Sequence, residues 1–414
     1  MCSRESFQWS NVATQAGTGL SQNTDAVRAA REAAGAALER IGGERADWGL
    51  VFATPGHRPQ YAPLLAEVQK TLGTACLAGC SGAGVIGAGE EVEGGHGVAV
   101  LAVRSDVLRA ETHLLPGGDD QGRQAALDLA ARLPADGTLL TFTDPFAVRP
   151  QLLLSELRAA GSRLPVLGGA AGGAPRHPAT FQFFGRNVAT RSIAALHLRG
   201  ASGRTAIGIT QGCQPLGPLC RVTKASENIV FELDSKPALD VLRSRLPAGV
   251  SEALERLGGH LFVGFPPDPE ALEIPPGEHL VRPLVAIDPG RGALLLAEDV
   301  REGQPLAILL REGQAARDDL KAMLERLDGP AGDAGWRFGL YFNCAGRGSA
   351  LYGIPGVDAA YIAQRFGDLP VAGFFGNAEL APLRDRNLLF THTGVLALFG
   401  DGTGAGAAGG GGAA

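Results

Sequence analysis

The fold class predicted for this chain is α/β in the broad (α+β) sense: two lobes of mixed β-sheets packed with helices, built from internal α-β-α-β-β repeats. Three observations carry it. An apolar strand, an amphipathic helix and a second strand ending in a glycine-rich turn follow one another three times, each time with a further apolar strand behind them. Each such unit is preceded by one more helix-patterned segment. The 45% hydrophobic content of 414 residues also suffices for two or three cores, which points to a folded chain and not to a low-complexity one.

The first copy runs from WGLVFAT at Trp48 through a helix over about 60–72 to CLAGCSGAG at Cys76 and GVAVLAV at Gly97. The second runs from TLLTFTDP at Thr138 through a helix over 151–160 to PVLGGAAGG at Pro165 and SIAALHL at Ser192. The third runs from WRFGLYFNCAGRG at Trp336 through a helix near 359–366 to PVAGFFGNAELAP at Pro370 and THTGVLALF at Thr391. Strand, helix and strand at this spacing read as crossover units of a helix-covered sheet. The common order predicts that Gly79, Gly168 and Gly373 occupy matching strand ends. The preceding helices fall at 25–41, 121–133 and 314–327. Between the second and third copies the pattern changes to short strands joined by proline and glycine turns, with one helix over 237–246 that opens on Pro237.

Composition removes several function classes. Lys+Arg 37 against Asp+Glu 43 leaves a formal charge of −6 and no basic stripe for a phosphate backbone, so nucleic acid is not an expected partner. The N-terminus lacks the apolar stretch of a signal peptide, and no run approaches the roughly 18 apolar residues of a membrane span, so a cytoplasmic protein with no membrane partner is expected. The six cysteines form no disulfide framework and no CxxC pair, and the histidines are scattered; no metal and no cofactor are expected. The turn Gly82–Gly87 matches G-x-G-x-x-G, but AGEEVEGGHG after it has no helical spacing, so a dinucleotide site is rejected.

GCSGAGVIG at Gly79, FTDP at Phe142, VLGGAAGG at Val166, the long block from Thr210 to Leu239, FNCAGRG at Phe342 and GFFGNAELAP at Gly373 resemble, in that order, the FIST family. The resemblance runs from about Asn23 to Phe399 and divides the chain into an extension at 1–23, a FIST N-terminal domain at 24–215, a FIST C-terminal domain at 216–399 and a disordered Gly/Ala tail at 400–414. It implies an intracellular sensory module that binds a small ligand, such as an amino acid, and feeds a signalling protein. The family usually carries an acid in its first glycine turn where this chain has Val85; Glu90 or Glu91 is the acid expected to substitute for it.

The candidate ligand-binding residues lie in the glycine turns: Cys80 and Ser81 in the first copy, Asp144 in the second, and Asn343, Cys344, Arg347, Asn377 and Glu379 in the third. Arg347 sits between Gly346 and Gly348, where its planar fork can meet a carboxylate; the alternative is a salt bridge to Glu379 that staples two turns. Arg347 and Glu379 together suit a zwitterion, so Arg347→Lys is expected to weaken binding more than stability. Asn377 either orients the ligand or takes a left-handed turn conformation, and Glu379 either meets an ammonium or caps backbone. Asp144 before Pro145 lines a pocket or forms a turn. Cys344, on a glycine turn beside Arg347, is expected to be more reactive than Cys76. Two other functions compete: a thiol-dependent hydrolase or transferase using Cys344 or Cys80, for which no base is evident, and a protein-binding adaptor.

Overall fold

The computed structural model describes residues 14–174, 179–200, 204–246, 259–275, 277–328 and 335–401. The first repeat runs β1 (Thr14–Ser21), α1 (Ala26–Arg40), β2 (Trp48–Ala53), α2 (Tyr61–Leu72) and β3 (Leu77–Ser81), then a hairpin β4 (Gly84–Gly87) and β5 (Glu90–Glu93), then β6 (Val98–Ser105). The second is β7 (Arg109–Pro116), α3 (Arg123–Arg132), β8 (Thr138–Thr143), α4 (Pro150–Ala159), β9 (Val166–Ala170), the hairpin β10 (Gln182–Phe184) and β11 (Asn187–Ala189), and β12 (Ser192–Arg199). The third opens with β13 (Arg204–Gln211) and is interrupted by an insertion: β14 (Cys213–Pro215), β15 (Cys220–Ser226), β16 (Ile229–Leu233), β17 (Lys236–Pro237), α5 (Ala238–Arg245), β18 (Leu261–Phe265), β19 (Leu280–Asp288), β20 (Ala293–Leu296) and β21 (Pro305–Arg311). It resumes with α6 (Gly313–Asp328), β22 (Trp336–Cys344), α7 (Ser349–Tyr352), α8 (Val357–Phe366), β23 (Val371–Gly376), the hairpin β24 (Ala378–Leu383) and β25 (Arg386–Phe390), and β26 (Thr393–Gly400). The first thirteen residues and the tail beyond Asp401 lie outside the described residues.

Each repeat makes a mixed sheet, and each sheet is finished by the hairpin of another repeat. The orders are β1-β6-β2-β3-β10-β11, β7-β12-β8-β9-β24-β25 and β13-β26-β22-β23-β4-β5. The first repeat's hairpin thus joins the third sheet, the second's joins the first, and the third's joins the second. Such an exchange is invisible in a linear strand count, and the strands β1 and β7 are likewise absent from the sequence reading.

The parallel pairs share one register: Val51 faces Gly79, Thr141 faces Gly168 and Tyr341 faces Gly373. The three glycines match as the repeats require, though as the third residue of each strand and not at its end. The reason is close approach, since a Cβ at each would collide with the carbonyl oxygen of its partner, and Gly79 and Gly168 also hold positive φ angles of 154° and 130°.

Period-two alternation sorts the side chains. Leu50 and Phe52 of β2 turn to a central core shared by all three sheets, while Val51 and Ala53 turn outward to α1 and α2. The equivalent residues Phe52, Phe142 and Phe342 meet in that core around Phe374, whose ring lies 5.1, 6.0 and 5.9 Å from theirs. Phe374 occupies the position taken by Cys80 and Gly169 in the other repeats. At the same level, the amides of Gly172, Asn377 and Ala83 donate to the carbonyls of Ser81, Ala170 and Phe375 at 2.9, 2.9 and 2.8 Å. These three bonds join second to first, third to second and first to third repeat.

The insertion closes on itself: β21 pairs with β14 and β15 along one edge and with β18 along the other. It forms an antiparallel barrel with its own core, which includes Leu239 and Leu242 of α5. Among the described residues no helix is long and apolar enough to cross a membrane.

Gly168→Ala is expected to destabilise by about 3 kcal/mol, through a clash with backbone at a strained φ. Gly35→Ala, in α1 with nothing within 4 Å of the added Cβ, is expected to stabilise by about 0.5–1 kcal/mol. Urea midpoints of the two variants check both; equal effects would remove the backbone explanation.

Candidate functional site

The polar centre of the molecule is the turn that follows β22. Gly348, with φ 59°, lets the chain reverse after Arg347; its position would bring any Cβ against the carboxylate of Glu93, which accepts from the Ser349 amide and hydroxyl at 2.9 and 2.7 Å. Glu91, from the same hairpin of the first repeat, accepts from the Gly356 and Ala359 amides at 3.0 and 2.9 Å and so covers the N-terminus of α8. Of the two acids that could stand in for the missing one at Val85, Glu91 is therefore a helix cap and Glu90 is exposed, while Val85 itself is core, opposite Phe374.

Arg347 is completely buried and grips Asp358, the second residue of α8, through Nε at 3.1 Å and Nη2 at 3.2 Å. Asp358 also accepts from Tyr341 (2.8 Å), Asn343 (2.9 Å) and the Tyr352 hydroxyl (2.6 Å), which in turn accepts from Arg347 at 2.7 Å. Burial opposes charge on both partners, and their mutual attraction overrides it: Arg347 is held above and Asp358 below its ordinary range. The salt bridge to Glu379 expected as the alternative for Arg347 is corrected here, because its partner is Asp358. No signal in the sequence marked that acid beyond its place at the start of a helix, eleven residues after the arginine.

Several polar atoms around this network are buried and meet no protein partner: Nη1 of Arg347, Oδ1 of Asn343, both carboxyl oxygens of Glu379 and Nδ1 of His392. Burial pushes the Glu379 carboxyl well up, against the weaker opposing influence of neighbouring Thr393 and Arg347, neither of which hydrogen-bonds it. Cys344 lies in the same cluster, its thiol raised to about 12 by burial and then by Glu379, and it is 6% exposed. The expected accessible, reactive Cys344 is thus corrected: the more exposed thiol is Cys76. His392, in the turn between β25 and β26, packs its ring against Phe262 of the barrel at 4.6 Å, and burial lowers it to about 4. Arg311 at the end of β21 donates to the Gly346 carbonyl, tying the barrel to this turn.

The remaining candidates are elsewhere or occupied. Cys80 is wholly buried in the central core. The Ser81 hydroxyl donates to the Gly172 carbonyl at 2.8 Å and accepts from the Phe181 amide at 3.0 Å. Asp144 is a turn former, as its place before Pro145 allows: its carboxylate accepts from the amides of Phe146, Ala147 and Arg191 and from the Thr180 hydroxyl. Asn377 is exposed, does not adopt the left-handed conformation, and donates from its side chain to the Ala171 carbonyl at 2.6 Å. The Gly82–Gly87 segment leads into strand β4 and opens no helix.

Family models match FIST N domain over residues 47–236 and FIST C domain over residues 238–382, together most of the chain. The chain belongs to the FIST family. The two models of this FIST protein meet beside β17, inside the barrel. Uncharacterized protein Rv0628c of Mycobacterium tuberculosis (strain ATCC 25618 / H37Rv) is 32% identical over 398 residues, covering 93% of this chain and 99% of its own. Uncharacterized protein Mb0898c of Mycobacterium bovis is 29% identical over 398 residues, covering 93% and 98%. A solved cyanuric acid hydrolase from A. caulinodans aligns at 12% identity over 45% of this chain and 72% of its own, with a TM-score of 0.26, a likeness too slight to carry an argument. FIST domains are sensory modules of signal transduction that bind small ligands.

Arg347→Lys keeps the charge and loses the fork that holds Asp358. It is therefore expected to cost about 2–4 kcal/mol of stability, the reverse of the effect anticipated from sequence. A urea midpoint within error of the parent would show that the pair is not structural.

Glu91 supplies a pH signature. Burial, then the charge of Asp358, raise its carboxyl to about 8 in the folded protein from an ordinary 4.5. The folded state then binds more protons than the unfolded one between these values, so this group's contribution to stability is full below pH 4.5 and is lost as pH rises through 8. Glu91→Gln should flatten the decline in melting temperature between about pH 5 and pH 8.5; a decline as steep as that of the parent would rule out Glu91 as its source.

Proposed function

We propose that this FIST protein senses a small zwitterionic metabolite of the amino-acid class in the cytoplasm, and that it is read at the turn carrying Arg347. The observation that supports this is the gathering of buried, unpartnered polar atoms from three segments, Asn343 of β22, Arg347 of the following turn and Glu379 of β24, around one buried ion pair, since buried polar groups are as a rule paired. Nη1 of Arg347 donates to a ligand carboxylate, while Oδ1 of Asn343 and the Glu379 carboxyl accept from its ammonium group. The guanidinium comes already fixed by Asp358 and Tyr352, so little ordering remains to oppose binding. Because these side chains are enclosed, entry requires the turn to part from the barrel, which Arg311 and His392 hold against it. That movement is the signal in this reading, and a signalling protein that contacts the barrel receives it.

The placement of His392 beside the Cys344 turn raises the thiol-enzyme reading, since no base was evident in the sequence. The chemistry disfavours it: the thiol is raised to about 12 and the imidazole lowered to about 4, so proton transfer from sulfur to nitrogen runs strongly uphill.

A thermal-shift screen of the full chain against the amino acids and their 2-oxo acids tests the sensor reading. At least one zwitterion is expected to raise the melting temperature by a few degrees, with the shift lost in Glu379→Gln, which keeps shape and removes the acid. No shift with any amino acid, or a shift unchanged in Glu379→Gln, would defeat the assignment.

A further inference from the structure

Away from the Arg347 turn, a cleft of about 600 Å³ opens where α4 of the second repeat, the β24–β25 hairpin of the third and β19 of the barrel come together. Arg158, Arg163, Arg282, Arg384 and Arg386 line it, with Asp385 as the one acid in its wall. Arginine is the default cation of this chain, so its identity decides little. Its concentration decides more, because the whole sequence carries a formal charge of −6. The volume lies in the range of small-molecule sites, roughly 300–1,000 Å³, and such sites favour junctions between structural units.

The arginines divide into two kinds. Arg158 pairs with Asp385 at 3.3 Å, Arg384 with Glu278 at 2.7 Å, and Arg282 with Glu298. Arg163 donates only to the carbonyls of Arg158 and Ser162, and no carboxylate lies within ion-pair range of Arg386 among the described residues. The cleft therefore keeps two guanidinium groups outside any ion pair among the described residues, next to three whose single carboxylate partners leave donors over. Arg282 is 7% exposed and also donates to the Val281 carbonyl at 2.9 Å, so one charge of the set is built into the wall. The floor is equally fixed: Asn387 accepts from the Val166 amide and donates to the Leu164 carbonyl, both at 2.9 Å.

We infer that this cleft binds a small molecule bearing two or more phosphate groups. Several forks from three different segments match the many acceptor oxygens of a diphosphate, whereas a single carboxylate would satisfy only one of them. The occupied cleft would also fasten the barrel to the second and third repeats. Thr391, which follows β25, already donates to the Val281 carbonyl beside Arg282 at 2.7 Å, so the ligand would sit one turn from His392 and the Arg347 site.

Isothermal titration of the full chain with pyrophosphate, and separately with orthophosphate, tests the inference. Saturable binding of pyrophosphate at least tenfold tighter than of orthophosphate is expected, weakening at high salt. Arg163→Glu with Arg386→Glu, both exposed and outside the ion pairs, should lower pyrophosphate affinity at least tenfold; Arg386→Gln alone, if the double variant misfolds, should lower it several-fold. Flotation with phosphatidylcholine vesicles containing a phosphoinositide separates the two sources of such a group. Pyrophosphate binding without flotation assigns a free metabolite, and flotation lost in the double variant assigns a lipid headgroup. Absence of saturable pyrophosphate binding together with no flotation, or binding unchanged in the folded variants, overturns the site.

Discussion

Three backbone hydrogen bonds around the centre of the molecule set the terms for the rest of it. Each carbonyl at the end of an inner parallel strand, in Ser81, Ala170 and Phe375, is taken by an amide from the next repeat and not from its own. For main chains to come this close, side chains must be absent. A Cβ on Gly172 or Gly376 would strike the backbone of another repeat. The glycine-rich turns therefore exist first for packing between repeats. The same geometry sends each chain across the centre into its neighbour's sheet, which explains why the hairpins are exchanged.

Against this threefold regularity the polar site is a departure made once. The strand-end positions Thr54, Asp144 and Cys344 are equivalent, as are Ala53, Thr143 and Asn343. In the second repeat the acid at this level turns inward on its own loop and is satisfied there. In the third, the turn is longer, contains Arg347 and α7, and draws Asp358 from α8 into a buried network that leaves donors and acceptors over. Buried polar atoms without a partner also occur in the first and second repeats, among them Trp48 Nε1, His57 Nε2 and Thr143 Oγ1, but those of Asn343, Arg347 and Glu379 gather around one ion pair, in the repeat that also receives the barrel. Two departures from symmetry at one place are more economically explained by one function than by two accidents of packing.

The repeats were legible because strand alternation, helical spacing and the obligatory glycines each leave a periodic mark in the sequence. The exchanged hairpins were not, because strands as short as EEVE or QFF leave no such mark and their partners are distant in the chain. Asn343, Arg347 and Glu379 stand near one another in the third repeat, yet the partner of Arg347 is Asp358 and not Glu379. Proximity along neighbouring strands suggested Glu379, whereas the arginine side chain reaches the other way, to a helix start. Cys344 was misjudged for a related reason. Glycines around a thiol were read as exposure, and here they serve to bury it beneath the barrel.

The barrel begins and ends on residues that face each other across a strand pair, Cys213 opposite Arg311. Its ninety-odd residues thus hang from the body by a double stem, and the body's own chain resumes, in β13 and α6, almost where it was interrupted. Beyond the stem the body holds the barrel through Thr391 on the Val281 carbonyl, Arg384 on Glu278 and the His392 ring on Phe262, and none of these contacts belongs to the central ring. Arg311 is at once the last residue of the stem and the donor to Gly346. The foot of the barrel and the carbonyl next to Arg347 are thus joined through one side chain, with no element between them.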